Sequence, residues 1–220
     1  MIDVDPSGSA VRVRRRTWIV GGSLLVASAL IALTLRGLPG VQFAPVSLPD
    51  MLFAAGAVIF AIGFGRAGSV TARRPLGTFA LVGLAVWILL SPLLLRFTVP
   101  VSAEDISGSF IMFSGMMSIT IEAVSLVLAI IAATQIARIR AVPRPWNRAP
   151  LWALVAVAVV RLLRSAFLFG AYALGQESLV LLDSLGGLIE AAAVGFLGVV
   201  AIVVAVRPVS GSTTVFSSAA

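Results

Sequence analysis

Six stretches of this chain, residues 17–35, 48–64, 76–95, 109–135, 150–174 and 181–206, run for seventeen residues or more with almost no charge. That feature removes most of the folds open to a chain of 220 residues. A hydrocarbon core about 30 Å thick is crossed by roughly 20 helical residues, with ~17 to 25 the usual range. Five of the stretches qualify comfortably. The second is at the lower limit and carries Gly56 and Gly63, so its length also allows a re-entrant segment. With 60% of residues hydrophobic and 11% charged, the composition departs from that of a water-soluble domain.

Arginine placement decides between five crossings and six. All 16 basic residues are arginine. Arg12, Arg14, Arg15 and Arg16 precede the first stretch, and Arg66, Arg73 and Arg74 follow the second. Arg138, Arg140, Arg144 and Arg148 follow the fourth, and Arg207 follows the sixth. Only Arg36 and Arg96 fall in the opposite connections, beside Asp50, Glu104, Asp105 and Glu177. Lys and Arg are retained on the cytoplasmic side, so both termini are expected there. Six crossings satisfy every loop; omitting the second would place Arg66, Arg73 and Arg74 outside. The expected fold is therefore all-α: a polytopic bundle of six transmembrane helices, N-in and C-in.

A basic segment before an apolar run also describes a secretory signal, and Arg15-Arg16 invites comparison with a twin-arginine signal. Here the run is long for a signal core and ends without a small-x-small cleavage site, so it reads as a retained first helix. Residues 1–16 form a basic cytoplasmic segment, 17–207 the membrane domain and 208–220 a Ser/Thr/Gly/Ala-rich cytoplasmic tail expected to lack order. Residues 1–11 are expected to lack order too. Exclusive use of arginine, with abundant Ala, Val and Gly, suggests a GC-rich bacterial coding sequence, hence the inner membrane.

Missing residue types narrow the chemistry. Without cysteine there is no disulfide, thiol nucleophile or thiolate-held cluster. Without histidine the usual haem and zinc ligation and the Ser-His-Asp triad are lost. Without lysine no Schiff-base cofactor is held. No cofactor or metal is expected. An intramembrane enzyme would have to work with carboxylates, serine and arginine alone, and neither a GxGD pair nor a GxSxG elbow is present. The net charge of +7 follows topology and comes with no nucleic-acid motif, so nucleic acid is not an expected partner. The bilayer is, together with anionic headgroups at the arginine-rich face.

Small residues recur four apart at Ala57, Ala61 and Gly65, and at Gly187, Ala191 and Gly195. That period lets helix backbones approach closely, within the bundle or across an interface with another membrane protein or a second copy. Ser91-Pro92 is expected to kink the third helix.

Charges inside the apolar stretches ask for a special explanation, because each costs roughly 2.5–3.5 kcal/mol on insertion scales. In the fourth stretch Ser114, Ser118, Glu122 and Ser125 share one helical face. In the fifth, Arg161, Arg164 and Tyr172 share another, and in the sixth Asp183 and Glu190 do. Counting ~1.5 Å per residue from span midpoints puts Glu122 and Arg161 near the midplane, Arg164 about 3 Å and Glu190 about 5 Å to the outer side. The matched partners are Glu122 with Arg161, Glu190 with Arg164, and Asp183 with Tyr172. Two readings compete. In one, these are structural ion pairs that fix helix packing. In the other, they line an outward-opening pocket where the arginines hold an anion and a glutamate exchanges a proton. The first suits a non-enzymatic accessory or assembly protein, the second a small transporter or permease for an anionic solute.

The absence of native cysteine makes topology directly measurable. Ser9→Cys, Ala67→Cys and Ser217→Cys should resist an impermeant maleimide in intact cells, while Ala103→Cys should react. Labelling at Ala67→Cys would remove the second crossing.

Overall fold

The computed structural model describes residues 6–35, 46–64, 69, 75–98, 108–139, 148–170 and 176–207. Within these helices the side chains at 6–10, 97–98, 108–112, 114, 139, 161–170, 176–180 and 182–183 fall outside the description. Six helices follow one another: α1 (Pro6–Leu35), α2 (Leu48–Ile62), α3 (Pro75–Thr98), α4 (Gly108–Ile139), α5 (Ala149–Gly170) and α6 (Gln176–Val206). Among the described residues all regular structure is helical. Four helices, α1, α3, α4 and α6, contain windows long and apolar enough to cross a bilayer, consistent with a membrane-embedded protein.

Two elements depart from expectation. The α1 helix begins at Pro6, so residues 6–11 are helical rather than without order. Proline is suited to the first turn, where its missing N–H would have no partner, and alanine and arginine extend a helix well. At 30 residues α1 is about 45 Å long, roughly 15 Å more than a hydrocarbon core needs. Its four arginines Arg12, Arg14, Arg15 and Arg16 are exposed on the excess turns. By contrast α2 has 15 residues, two fewer than the stretch read from sequence, and spans about 22 Å.

Both ends of α2 are fastened to define that short length. Ser47 is extended (φ −82°, ψ 149°), and its hydroxyl oxygen accepts from the Asp50 N–H at 3.3 Å. The Ser47 hydroxyl also donates to the Asp50 carboxylate, so one serine caps the first turn and holds its own acid in place. At the other end the Gly63 N–H closes on the Ile59 carbonyl at 2.8 Å, with Gly63 at φ 68°. A side chain is rarely tolerated there, so glycine stops the helix at that residue. The next amide, Phe64 N–H, donates to Thr17 Oγ1 of α1 at 3.1 Å, and Ser69 donates to the Ala61 carbonyl at 2.6 Å. Thr17 is fully buried and also donates to the Val13 carbonyl. Toward the start of α2, Ser28 of α1 donates to the Pro49 carbonyl at 2.8 Å. The helix therefore lies along α1 between the levels of Thr17 and Ser28, and begins seven residues short of the end of α1.

The helices form a closed ring. Each packs on the helices before and after it in sequence, and α1 packs on α6 to complete the circuit. Among the described residues, that closing contact is the most extensive. Its tightest point is backbone against backbone. A methyl group built on Gly22 would lie 2.7 Å from the Gly198 carbonyl oxygen, and one on Gly198 would lie 2.6 Å from the Gly22 carbonyl oxygen. One turn along, a methyl on Gly195 would sit 3.3 Å from the Ala29 methyl. Lipid tails remove the hydrophobic drive between helices, so contact of this closeness is the principal attraction available. Of the small residues read from sequence, Ala57, Ala61, Gly187 and Ala191 are buried, Gly195 is half-buried, and Gly65 lies outside the described residues. Pro92 lies within an unbroken α3.

Gly22→Ala or Gly198→Ala should destabilise the protein by about 1–3 kcal/mol, because the added methyl meets backbone that cannot retract. Nothing lies within 4 Å of a methyl on Gly115. Gly115→Ala should therefore be neutral or stabilising by up to about 1 kcal/mol. Thermal unfolding in one detergent checks both.

Candidate functional site: a chamber inside the helix ring

Closing six helices into a ring leaves an axis that side chains must fill, and here they do not fill it. A cavity of about 450 Å³ lies on that axis, with walls from all six helices. Its volume falls within the ~300–1,000 Å³ usual for small-ligand pockets. On α4 the wall residues Ser125, Leu126, Ala129, Ala132, Ala133 and Ile136 follow one heptad stripe. On α6 the stripe runs from Glu190 through Val194 and Leu197 to Ala201, and on α5 from Pro150 through Ala153 and Leu154 to Val157. Alanine is frequent on these stripes, and its small side chain keeps the axis open.

At one end of the cavity wall stands an apolar cluster, the plug. Trp18 and Ala201 are buried together, with Phe60, Ile136, Val204 and Ala205 packed around them. The Trp18 and Phe60 rings meet edge to face, 6.2 Å between centroids at 82°, a favoured aromatic geometry. On the far side of the indole the Arg14 guanidinium lies 5.5 Å from the ring centroid, within cation–π range. The plug thus joins the hydrocarbon to the charged extension of α1.

Polarity in the described wall is confined to one level. Its polar side chains beyond the Trp18 plug are Ser28, Asp50, Ser125 and Glu190. Residues of the plug give a common origin for counting. From Trp18 to Ser28, Phe60 to Asp50, Ile136 to Ser125 and Ala201 to Glu190 are ten or eleven residues each, about 15–16.5 Å along the helices. The Ser28–Pro49 hydrogen bond independently ties α1 and α2 at that level. Between plug and belt the wall is apolar. Both belt serines spend their O–H on backbone: Ser28 on Pro49, and Ser125 on the Ile121 carbonyl at 2.9 Å.

The residues singled out from sequence meet this geometry unevenly. Glu190 is half-buried and lines the cavity within the polar belt. Ser118 and Glu122 are half-buried on α4. Position 122 continues the wall stripe of α4 one turn beyond Ser125. The side chains of Arg161, Arg164 and Asp183 lie outside the described residues, as does Tyr172 altogether. The helices proposed to pair do neighbour one another, α4 with α5 and α5 with α6. Asp50 and Ser28 are new to the site. Asp50 reads from sequence as part of an outer connection because it begins a stretch, and only the shortness of α2 carries it to the level of Glu190. Ser28 is a lone serine in an apolar run, and no sequence signal separates it from a packing residue. Among the described residues no group of acidic side chains has the arrangement of a metal site.

Comparison with protein-family models, curated proteins and solved structures finds no match to this chain.

Ser28→Ala should cost about 1 kcal/mol, because it removes a buried hydrogen bond that ties α1 to the first turn of α2. Ser125→Ala, whose hydroxyl bonds only within its own helix, should cost less than about 1 kcal/mol. Paired thermal melts separate the two.

Proposed function

We propose that this chain is a six-crossing protein of the bacterial inner membrane, both termini cytoplasmic, whose helix ring holds a small solute as a transporter or permease. Its role is non-enzymatic. The cavity lined by all six helices is the observation that carries this reading. An accessory or assembly protein needs outward packing faces, whereas the small-residue positions Ala57, Ala61, Gly187 and Ala191 are buried within the chain's own ring. The polar belt supports a solute site at membrane depth, since polar groups inside a membrane domain are costly and commonly mark pathways. The start of α2 at that depth adds support: irregular backbone such as Val46–Ser47 is tolerated in a membrane only where protein or a wet cavity surrounds it. Exposed Arg12, Arg14, Arg15 and Arg16 would sit among anionic headgroups and hold α1 at its depth.

The test is a ligand panel spanning charge and chain length, read by thermal stability in nanodiscs. At least one class should stabilise the protein, by about 2.7 kcal/mol at a hundred times its Kd. Ala193→Phe, which fills the cavity, should abolish that effect; Phe79→Ala on the outer surface should preserve it. If no class stabilises, and Ala193→Phe simply raises the melting temperature, the cavity is a packing void and the accessory reading takes over.

A further inference from the structure

The polar belt of the described wall is answered for within the chain itself. Ser28 donates to the Pro49 carbonyl and Ser125 to the Ile121 carbonyl. The Asp50 carboxylate is held by the Ser47 hydroxyl, and Glu190 is engaged within the protein. Among the described residues, no buried side-chain nitrogen or oxygen stands without a partner. A polar solute entering here would shed its water and meet groups already committed elsewhere, and that loss is not returned in apolar surroundings.

Between belt and plug the wall is hydrocarbon. Over about 15 Å of helical rise it presents Leu25, Phe53, Ala57, Ala129, Ala132 and Leu197. Trp18 and Phe60 stand at its end. Water finds few partners on such a wall, and apolar cavities in proteins stay dry. A space of about 450 Å³ that neither side chains nor water fill is open to whatever surrounds the ring. Around a membrane-embedded ring that is lipid hydrocarbon. Lipid tails are as apolar as leucine, so a chain loses nothing on passing from the bilayer to this wall. The wall gains the dispersion contacts that empty space denies it.

We infer that the cavity takes in one hydrocarbon chain of a lipid from the surrounding bilayer, with its methyl end toward Trp18, and holds it by apolar contact without selecting its head group. The apolar wall sets the length of chain accepted, and the belt marks the level where hydrocarbon gives way to polar groups. Entry from the side suits the packing. Among the described residues, α4 and α5 make the least extensive of the six contacts between neighbouring helices, so a chain arriving from the bilayer meets least resistance there. This rests on the cavity being a solute site, as proposed above, and it names the solute class.

The reporter is Trp18, which lines the cavity and is only 4% exposed. Trp152 of α5, 68% exposed, serves as the control for the outer surface. Bromine on a lipid chain quenches a tryptophan that it touches. One variant carries Trp87→Phe, Trp146→Phe and Trp152→Phe and keeps Trp18 alone; another carries Trp18→Phe, Trp87→Phe and Trp146→Phe and keeps Trp152. Both go into nanodiscs of phosphatidylcholine with plain or brominated chains. Trp18 should be quenched to an extent comparable with Trp152. Adding Ala193→Phe should remove most of the Trp18 quenching and leave that of Trp152 unchanged. Brominated phosphatidylglycerol, with an anionic head, should quench Trp18 as far as phosphatidylcholine does.

A strong preference for either head overturns the indifference to head group. Quenching of Trp18 by added brominated fatty acid, with none from brominated phosphatidylcholine, overturns the bilayer lipid as the source. Quenching that survives Ala193→Phe comes from outside the cavity and overturns the inference, as does a Trp18 that no brominated chain quenches. If a small polar solute then stabilises the wild type but not Ala193→Phe, the solute site stands without the chain; if none does, both fall. Trp87→Phe gives up the indole bond to the Ile121 carbonyl, so a second measurement uses the native tryptophans. Decane, a chain with no head, should raise the melting temperature of the wild type in nanodiscs and not that of Ala193→Phe. A wild-type melt that decane leaves unchanged overturns the inference.

Discussion

The approach of two peptide backbones at Gly22 and Gly198 is the contact on which the remaining architecture depends. A chain of apolar hairpins has no intrinsic reason to close, since lipid satisfies an outer helix face as well as another helix does. With neither residue carrying a side chain, α1 and α6 pack until a methyl on one would overlap the other's carbonyl oxygen. Dispersion summed over many atom pairs at that distance replaces the missing hydrophobic drive. Closure then fixes everything inside it: six inward stripes, one axis and a common set of levels.

Within the ring, α2 does the unusual work. A helix of 15 residues leaves non-helical backbone at a depth where neighbouring helices are still continuous. The local sequence answers for nearly every group this exposes. Ser47 caps the first turn and Thr17 takes the Phe64 amide beyond Gly63, while Ser28 ties α1 to the start of α2 through a second bond to the Pro49 carbonyl. The same capping that makes α2 possible brings a carboxylate to the depth of Glu190. Helix termination and site chemistry therefore share one residue, and Asp50→Asn is expected to affect both.

Helix number and approximate bounds were legible because period and apolar length are local properties. Glu190 was legible as a charge within an apolar stretch for the same reason. The cavity was not, because a stripe such as Ser125, Ala129, Ala132 and Ile136 reads equally well as core, as interface or as chamber wall until its partners are known. Nor was the closing contact. Gly21-Gly22 and Gly198 lie outside the four-residue spacing that drew attention to Gly187, Ala191 and Gly195, and they matter through a neighbour about 176 residues away in sequence. Asp50 was read as lying in or beside an outer connection, and it stands in the first turn of α2 next to that connection; its place on the cavity wall follows from where the short α2 begins along α1.

The two functional readings drawn from the charges in the apolar stretches make different demands on the fold. Structural ion pairs need only neighbouring helices, which α4, α5 and α6 provide. They do not need a cavity, and ordinary interior packing would fill one, since unfilled volume costs roughly 24 cal/mol per Å³. By that figure a fully enclosed void of about 450 Å³ would cost roughly 11 kcal/mol, and this half-open one costs less. Alanines line the wall at 29 and 32 on α1, 57 on α2, 129, 132 and 133 on α4, 153 on α5, and 191, 193 and 201 on α6. The smallest apolar side chain lines the axis on five helices, and the described wall is polar at one level only; these are the features on which the solute-site proposal rests. Any lipid or solute bound in that space would stabilise the ring by the free energy of its own binding.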